Sequence, residues 1–427
     1  MQFDLDEYSV VRQSQVQVGQ ARSSGREANV NAHARTDSRG DEVKAIAEKL
    51  IEDLRRNAAK AEELRRVPDE SIELLKSSGL LGVLQPASCG GRQLTMRAHV
   101  DAVATIGRGC NATAWVLGVY HAHSWLMGHM DRKAQQDVYG KDPNTAIAAV
   151  IGPRGKAVRN ADGSYTLSGF WPFGSGNASA GWLLLGAELY NEADDKLDEG
   201  DLLVPIGDVE VLDDWHVAGL QGTGSSSIRC KEVAVPAHRY LSLAALLDSN
   251  TPAYNDPQGP ALYKSQAGPV LTLCIASSAT GVARGALEEF VKVVPGKKVM
   301  YTAHISHEWI PLQTALGEAA AMINAAELIL YKVADEIDDY AERGERMPVE
   351  LRGRIRMDIA YVVRLCRDAV EKLYTIGGAA GLSLKSPIQR AARNLQATNM
   401  HGLLLQEPAA ELYGRILLGM DPGTPIL

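Results

Sequence analysis

The chain has 427 residues, of which 45% are hydrophobic and 22% are charged, and its formal net charge is −8. This apolar content supports one or more sizeable cores, while the acidic balance argues against a general nucleic-acid binder. No apolar run reaches the ~20 residues that a membrane-spanning helix needs, the N-terminus lacks a secretory signal, and the five cysteines show no CxxC pair. We therefore expect a soluble, cytoplasmic protein that keeps its thiols reduced.

The N-terminal part of the chain is predicted to hold a flexible arm followed by a helical domain. Residues 1–40 are polar and poor in large apolar side chains, so they bury too little surface to offset their ordering entropy. A helical domain is predicted at 41–142. Asp41 suits the cap of its first helix, and Pro68 and Gly79 suit the start and end of a later one.

The pattern changes to short β-type runs separated by turn signals between residues 143 and 245, which predicts a barrel-like β domain. Residues 246–427 return to helical periodicity. Two long apolar stripes there are followed by the break at Gly377-Gly378 and by two shorter helices, which favours a four-helix bundle. The predicted fold class is therefore α+β and mostly α, with a helical domain, a β domain and a helical bundle in that order.

Common cofactor and catalytic motifs are absent from the sequence. It contains no GxGxxG between a strand and a helix, no GxxxxGK[ST], no HExxH and no clear GxSxG, and its ten histidines show no convincing metal spacing. Four local features remain, and each alone could be ordinary core or turn material. They are Thr113-Ala114-Trp115 with His121 and His123, the aromatic stretch Phe170–Gly176, the turn Gly222–Ser225, and Arg393 with His401 before Tyr413-Gly414-Arg415.

Taken in order, these features resemble the oxygenase components of two-component flavin-dependent monooxygenases with the acyl-CoA dehydrogenase fold, of the para-hydroxyphenylacetate hydroxylase type. The resemblance runs from Glu42 to the C-terminus. The stretches that carry it are Ala61–Glu70, Thr113-Ala114-Trp115 with His123, Ser175-Gly176, and His401 with Gly414-Arg415. The Gly-Thr-Gly-Ser turn is less specific, because the wider dehydrogenase fold shares it.

The resemblance implies that reduced flavin and dioxygen form a C4a-hydroperoxyflavin, which hydroxylates a phenolic or indolic substrate. Water must then be kept out, and the flavin N5 needs a fixed hydrogen-bond partner. We expect Trp115, Trp171 and Phe173 to line a dry pocket, with Ser175 near N5.

Two histidines are assigned catalytic roles by the resemblance. His123 is the expected base for the substrate hydroxyl, because an imidazole can accept a proton near neutral pH. His401 is expected beside the flavin, where it would tune the reaction with oxygen. The alternative for each is a buried structural histidine, and His121 is the second choice for the base.

The implied cofactor is reduced FMN, with FADH2 as second choice, supplied by a separate NAD(P)H-dependent flavin reductase. A homotetramer is also implied. Further expected cofactor-binding residues are Gly176, Thr223, Ser225, Arg393, Gly377 and Gly378. Lys297, Lys298 and Arg393 are the candidates for the flavin phosphate.

The sequence also departs from the family pattern. A substrate-binding strand that is Ser-rich in the family reads Ala148–Ile151 here, a basic run is replaced by Val294–Lys298, and an Arg-Asp pair reads Arg393-Asn394. These changes predict a different, less polar substrate. Two other functions stay open, namely an acyl-CoA dehydrogenase with tightly bound FAD, for which Glu407 or Glu411 would be the base, and an inactive binding or assembly protein.

Overall fold

The computed structural model describes residues 38–424 and 426–427, so the predicted arm at 1–40 lies almost entirely outside the described residues. Thirteen α-helices lie within them. Their bounds are Ser38–Glu48 (α1), Ile51–Leu64 (α2), Asp69–Ser77 (α3), Met96–Gly107 (α4), Asn111–Met127 (α5), Arg132–Tyr139 (α6), Leu243–Leu247 (α7), Pro252–Asn255 (α8), Ala267–Val293 (α9), Ile310–Arg343 (α10), Val349–Ile376 (α11), Pro387–Asn399 (α12) and Gln406–Leu417 (α13).

Between the two helical regions lies a single mixed sheet of seven strands. Its hydrogen-bonding order is β5-β6-β2-β1-β3-β4-β7, and only β1 and β3 pair in parallel. The edge strands β5 and β7 do not pair with each other, so the sheet is open. The strand bounds are Ile147–Arg159 (β1), Tyr165–Trp171 (β2), Trp182–Tyr190 (β3), Lys196–Pro205 (β4), Glu210–Val211 (β5), Ile228–Val235 (β6) and Tyr240–Ser242 (β7).

The elements therefore have the predicted order of helices, sheet and helices, which confirms the fold class. One local prediction differs from the structure. Helix α1 begins at Ser38, so Asp41 lies in its first turn and complements the helix dipole instead of capping it. Helices α6, α7 and α8 and strand β7 were not predicted. All four are short, and a hydrophobic period is hard to recognise over so few residues.

The sheet has two buried faces that belong to different cores. On one face Ile147, Leu184 and Leu203 pack into the main helical core. On the other face Leu183 and Leu202 join a separate core of the β region. Because side chains alternate along a strand, neighbouring residues serve opposite cores. This arrangement presents one face of β1 to helix α5, on which two of the predicted site residues lie.

Helix α9 is the central helix of the molecule. It is long and apolar enough to cross a membrane, but 89% of its most apolar window is buried inside the protein. It packs closely on α4 and α5 through glycines. A Cβ on Gly281 would lie 1.8 Å from the Ala104 carbonyl oxygen, and a Cβ on Gly118 of α5 would lie 2.6 Å from the Cys274 carbonyl oxygen. Only glycine permits this backbone approach.

Substitution of Gly281 tests this close contact. We expect Gly281→Ala to lower the free energy of unfolding by about 1–3 kcal/mol, because α9 must move away from α4. Chemical denaturation measures the change. The matched control is Gly317→Ala in α10, where a Cβ meets nothing within 4 Å. That variant should be neutral or more stable by about 0.5–1 kcal/mol. Equal effects of the two substitutions would contradict the close-packing argument.

Candidate active site

A chain of hydrogen bonds joins helix α5 to the sheet region. The Trp115 indole N–H donates to Ser175 Oγ over 3.2 Å, and Ser175 Oγ lies 2.7 Å from Ser225 Oγ. Ser225 Oγ lies 2.7 Å from Thr223 Oγ1, which donates to the Leu220 carbonyl oxygen over 2.8 Å. The structure thus brings together four residues that were predicted separately.

The direction of every bond in this hydroxyl chain follows from its two ends. The Thr223 hydroxyl donates its single proton to a carbonyl oxygen, so it can only accept a hydrogen bond from the Ser225 hydroxyl. Ser225 therefore has no proton left for Ser175 and accepts a hydrogen bond from the Ser175 hydroxyl. Ser175 also accepts the indole N–H of Trp115. A hydroxyl has one proton and two acceptor lone pairs, so Ser175 has one lone pair left and no proton to give. The chain therefore offers an acceptor at Ser175.

Gly176 continues this turn in a left-handed conformation, with φ of 77°. A Cβ there would lie 2.9 Å from the Tyr120 ring, whose hydroxyl donates to the Gly176 carbonyl oxygen over 2.6 Å. Glycine is thus required by both conformation and space. Tyr120 of α5 fixes the turn that carries Ser175, and sequence reasoning missed it because a buried tyrosine in an apolar helix resembles ordinary core.

His401 lies on the other side of Trp115. The two rings meet edge to face with their centroids 5.8 Å apart. The Leu403 backbone N–H donates to His401 Nδ1 over 3.2 Å, so the neutral ring carries its proton on Nε2. His401 is exposed to solvent, and both its protein surroundings and the nearby charge of Arg356 act to lower its pKa. His401 is therefore neutral at pH 7 and has an N–H to donate.

His123 has the opposite tautomer. Its Nδ1–H donates to the Ile147 carbonyl oxygen of β1 over 2.7 Å, which leaves Nε2 as an acceptor. Burial lowers the pKa of His123 to about 4. His121 differs, because Nε2 donates to the Leu80 carbonyl oxygen and Nδ1 lies 2.9 Å from His99 Nδ1. Both nitrogens of His121 are occupied by protein groups, so His123 is the better placed of the two.

The aromatic residues of the predicted pocket lie apart from one another. Phe173 is 67% exposed and meets Trp215 edge to face at 6.1 Å, beside the Ser175 turn. Trp171 is fully buried in the β core, and its indole N–H donates to the Gly186 carbonyl oxygen over 2.7 Å. Its ring covers Gly155, so it does not line a pocket with Trp115. The side chain of Trp171 points to the other face of the sheet, because side chains alternate along β2. The sequence pattern did not show which face the end of β2 presents.

The remaining predicted cofactor-binding residues occupy different places. Arg393 lines a recess of about 310 Å³, but its guanidinium is already held by Glu62 and the Ala218 carbonyl oxygen. Gly377 and Gly378 are exposed at the end of α11. Lys297 and Lys298 are exposed after α9, and no hydrogen bond or ion pair of the described residues joins them to the hydroxyl chain.

Family models identify the class of protein that this architecture defines. The acyl-CoA dehydrogenase N-terminal domain matches residues 39–139, and the acyl-CoA dehydrogenase C-terminal domain matches residues 273–406. The chain therefore has the acyl-CoA dehydrogenase fold.

Relatives and solved structures place the chain more narrowly. It is 31% identical to HsaA, the oxygenase subunit of a flavin-dependent monooxygenase from Mycobacterium tuberculosis, over 90% of this chain and 97% of that protein. It is 31% identical to the oxygenase component of an FADH(2)-dependent resorcinol hydroxylase from Rhizobium sp., over 87% and 93% of the two chains. The structure of XiaF from Streptomyces sp., in complex with FADH2 and glycerol, superposes with a TM-score of 0.87 at 27% identity, over 91% and 98%. The chain belongs to the family of oxygenase subunits of flavin-dependent monooxygenases.

Buried histidines give the fold a distinctive pH dependence. Burial lowers the pKa of His121 and His123 to about 4 and that of His129 to about 3, from an ordinary value of 6.5. Between pH 6.5 and 4 the unfolded chain therefore binds more protons at these rings than the folded chain, so their contribution to stability falls as pH falls. Asp338 acts in the opposite direction, because burial raises its pKa to about 7.

A histidine variant isolates this effect from the carboxyl groups. We expect the stability of the wild type, relative to that of His129→Gln, to fall by on the order of 1–2 kcal/mol between pH 7 and pH 5. Urea unfolding at the two pH values measures the difference. The exposed His307 supplies the control, since His307→Gln should follow the wild type at both values. A constant difference between wild type and His129→Gln would show that folding does not lower the pKa of this imidazole.

Proposed function

We propose that this chain uses reduced flavin and dioxygen to hydroxylate an aromatic substrate, with His123 as the base, His401 beside the flavin, and Ser175 at the flavin N5. The observation that carries the proposal is the direction of the hydroxyl chain. Reduced flavin has a proton on N5 and oxidised flavin does not, so an acceptor at Ser175 favours the reduced form. An oxygenase that receives reduced flavin from a separate reductase needs this preference.

The residues around Ser175 fit a flavin. The exposed ring of Phe173 and the partly buried ring of Trp215 provide aromatic surface for a planar ring, and the Gly176 turn lets the backbone come close to it. When bound, reduced flavin supplies the two electrons that reduce one oxygen atom of dioxygen to water while the other enters the substrate. The protein's part is to hold the N5 proton at Ser175 and to donate a hydrogen bond from His401 Nε2 toward the reacting oxygen.

The two histidines have different roles, because His123 has a free acceptor nitrogen and His401 has a free N–H donor. His123 Nε2 accepts a hydrogen bond from a phenolic hydroxyl or an indole N–H, which makes the ring carbon a better nucleophile, and it takes the proton as oxygen transfer draws electrons from the ring. Its Nδ1–H stays bonded to β1, so the ring cannot turn away. His401 stays neutral and donates. Neither ring carries a charge at pH 7, so neither draws water into the site as an imidazolium would.

An acyl-CoA dehydrogenase would instead need a carboxylate base near the flavin. The two candidates, Glu407 and Glu411, are both exposed in α13, and neither appears among the hydrogen bonds of the described hydroxyl chain. The resemblance to the dehydrogenases is one of fold. We therefore prefer the oxygenase to the dehydrogenase and to an inactive assembly protein.

The family and the surface of the chain also suggest a reductase partner, an oligomeric state and a position for the rest of the cofactor. We propose that an NAD(P)H-dependent reductase in the same cytoplasm supplies reduced FMN or FADH2, and that the chain forms a homotetramer. Exposed apolar side chains on the C-terminal helices, such as Leu328 of α10 and Leu417 of α13, are the surface that subunit contacts would cover. The recess beside Arg393 is our candidate for the part of the cofactor beyond its first phosphate, such as the adenine of FADH2.

Replacement of His123 by Asn separates its two roles. The Asn side-chain N–H can keep the bond to the Ile147 carbonyl oxygen, but nothing replaces Nε2. We expect hydroxylation to slow by about 10²–10⁴-fold with little change in flavin affinity. Product formed and hydrogen peroxide released per reduced flavin are the measurements. His121→Asn is the control for a buried histidine on the same helix. An unchanged product yield in a folded His123→Asn protein would remove His123 as the base.

Reversal of the hydroxyl chain tests the preference for reduced flavin. In Ser225→Ala the proton of Ser175 loses its acceptor and becomes free to donate to the N5 of oxidised flavin. We expect oxidised flavin to bind more tightly, so the ratio of affinities for reduced over oxidised flavin should fall by about 10-fold, as for one hydrogen bond. Anaerobic and aerobic fluorescence titrations measure the two affinities.

Two further serine variants complete this test. Ser175→Ala should weaken the binding of reduced flavin and raise hydrogen peroxide release, because N5 loses its fixed partner. Ser226→Ala is the control, since Ser226 contributes its carbonyl oxygen to Gly174 and Asn177 and not its hydroxyl to the chain. An affinity ratio that stays constant in Ser225→Ala would overturn the directional argument.

A further inference from the structure

The arginines of helix α11 fall into two groups. Three of them have carboxylate partners: Arg354 pairs with Glu336 and Asp358, and Arg364 and Arg367 pair with Asp368. These pairs lie partly exposed along the helix. These three arginines of α11 are therefore paired with carboxylates of the same chain.

Arg352 and Arg356 lack such partners. No ion pair of the described residues involves either side chain, and the Nε–H of each is buried without a hydrogen-bond acceptor. They lie four residues apart, so their side chains share one face of the helix. Burial lowers the pKa of both, to about 10 for Arg356, and Arg346 adds positive charge near Arg352. A partly buried guanidinium without an anion is costly to keep.

The position of Arg356 links this pair to the active site. Its Nη2 donates to the Gly402 carbonyl oxygen over 3.1 Å, and its Nη1 donates to Thr272 Oγ1 in the first turns of α9 over 3.3 Å. Gly402 follows His401, which contacts Trp115. The charge of Arg356 also lowers the pKa of His401. Arg356 therefore contacts the residue that follows His401, a proposed active-site group.

We propose that Arg352 and Arg356 form a binding site for an oxyanion carried into the active site, either the carboxylate of an acidic aromatic substrate or the phosphate of the flavin. The inference rests on the proposed function, because it assigns the anion to one of the two reactants of that site. Arginine suits both groups, since its planar N–H array matches carboxylate and phosphate oxygens.

This site also bears on substrate choice. The apolar Ala148–Ile151 strand and the altered 294–298 run predict a less polar substrate than that of the family pattern. The arginine pair lies on a different element, α11, and by this proposal it binds an acidic group. A substrate with an apolar ring against β1 and an acidic tail toward α11 satisfies both observations.

Equilibrium binding separates the two sources of the anion. The first arm compares 4-hydroxyphenylacetate with its neutral analogue 4-(2-hydroxyethyl)phenol by calorimetry on the full chain. The second arm compares reduced FMN with reduced riboflavin by anaerobic fluorescence titration. We expect the wild type to prefer the anionic member in one arm by about 10-fold or more, and Arg352→Gln/Arg356→Gln to lose that preference. Arg352→Gln alone serves if the double variant does not fold.

Control variants and overall outcomes make this test decisive. Arg364→Gln removes an exposed, paired arginine of the same helix and should keep every preference. Loss of the preference only in the first arm assigns the site to a carboxylate, and loss only in the second assigns it to the phosphate. If the wild type prefers neither anion, or if the double variant keeps the preference, the proposal is overturned. Dissociation of the oligomer by the double variant, with preferences intact, would instead assign the arginines to a subunit contact.

These measurements do not depend on turnover. Hydroxylation of the neutral phenol by the wild type tests the proposed function, while the binding arms test the arginine site. Failure of one therefore remains distinguishable from failure of the other.

Discussion

The hydrogen bond from the Trp115 indole to the Ser175 hydroxyl connects a buried helix of the helical region to a turn of the sheet region. At one end of the hydroxyl chain the Trp115 N–H donates to Ser175, and at the other end Thr223 donates to the Leu220 carbonyl oxygen. Because each hydroxyl has a single proton, the two ends determine the direction of the whole chain. The acceptor at Ser175, and with it the preference for reduced flavin, depends on this contact between the two regions.

The tight packing of α9 on α4 and α5 supports that contact. Glycines at the crossing points let the backbones touch, which fixes the position of α5 and of the side chains along it. The same burial keeps the imidazole of His123 neutral, while its bond to β1 fixes the tautomer. A closely packed core thus makes the base His123 rigid and uncharged, and it lowers stability in mild acid.

Much of the fold could be predicted from hydrophobic patterning. The long stripes of α10 and α11 and the β-type runs between residues 147 and 235 have periodicities that few alternatives share. The short helix α6 and the three-residue strand β7 could not be predicted, because so few residues carry no distinct period. The start of α1 at Ser38 shows the same limit, since an acidic residue fits both a cap and a first turn.

The candidate site was predicted only in part, through resemblance and not through pattern. Ser175, Thr223, Ser225, Trp115 and His401 do come together. Trp171 does not join them, because its side chain enters the core on the other face of the sheet. Arg356 was missed, because the sequence of α11 does not show which of its arginines have a carboxylate partner in the folded protein.

The sequence alone determined the order of helical and β regions and the residue types available for flavin chemistry, because periodicity and composition are local properties. Only the tertiary structure decided the tautomers of His123 and His401, the direction of the hydroxyl chain and the unpaired state of Arg352 and Arg356. Each of these depends on which groups from distant parts of the chain lie within hydrogen-bonding distance, and a linear pattern does not contain that information.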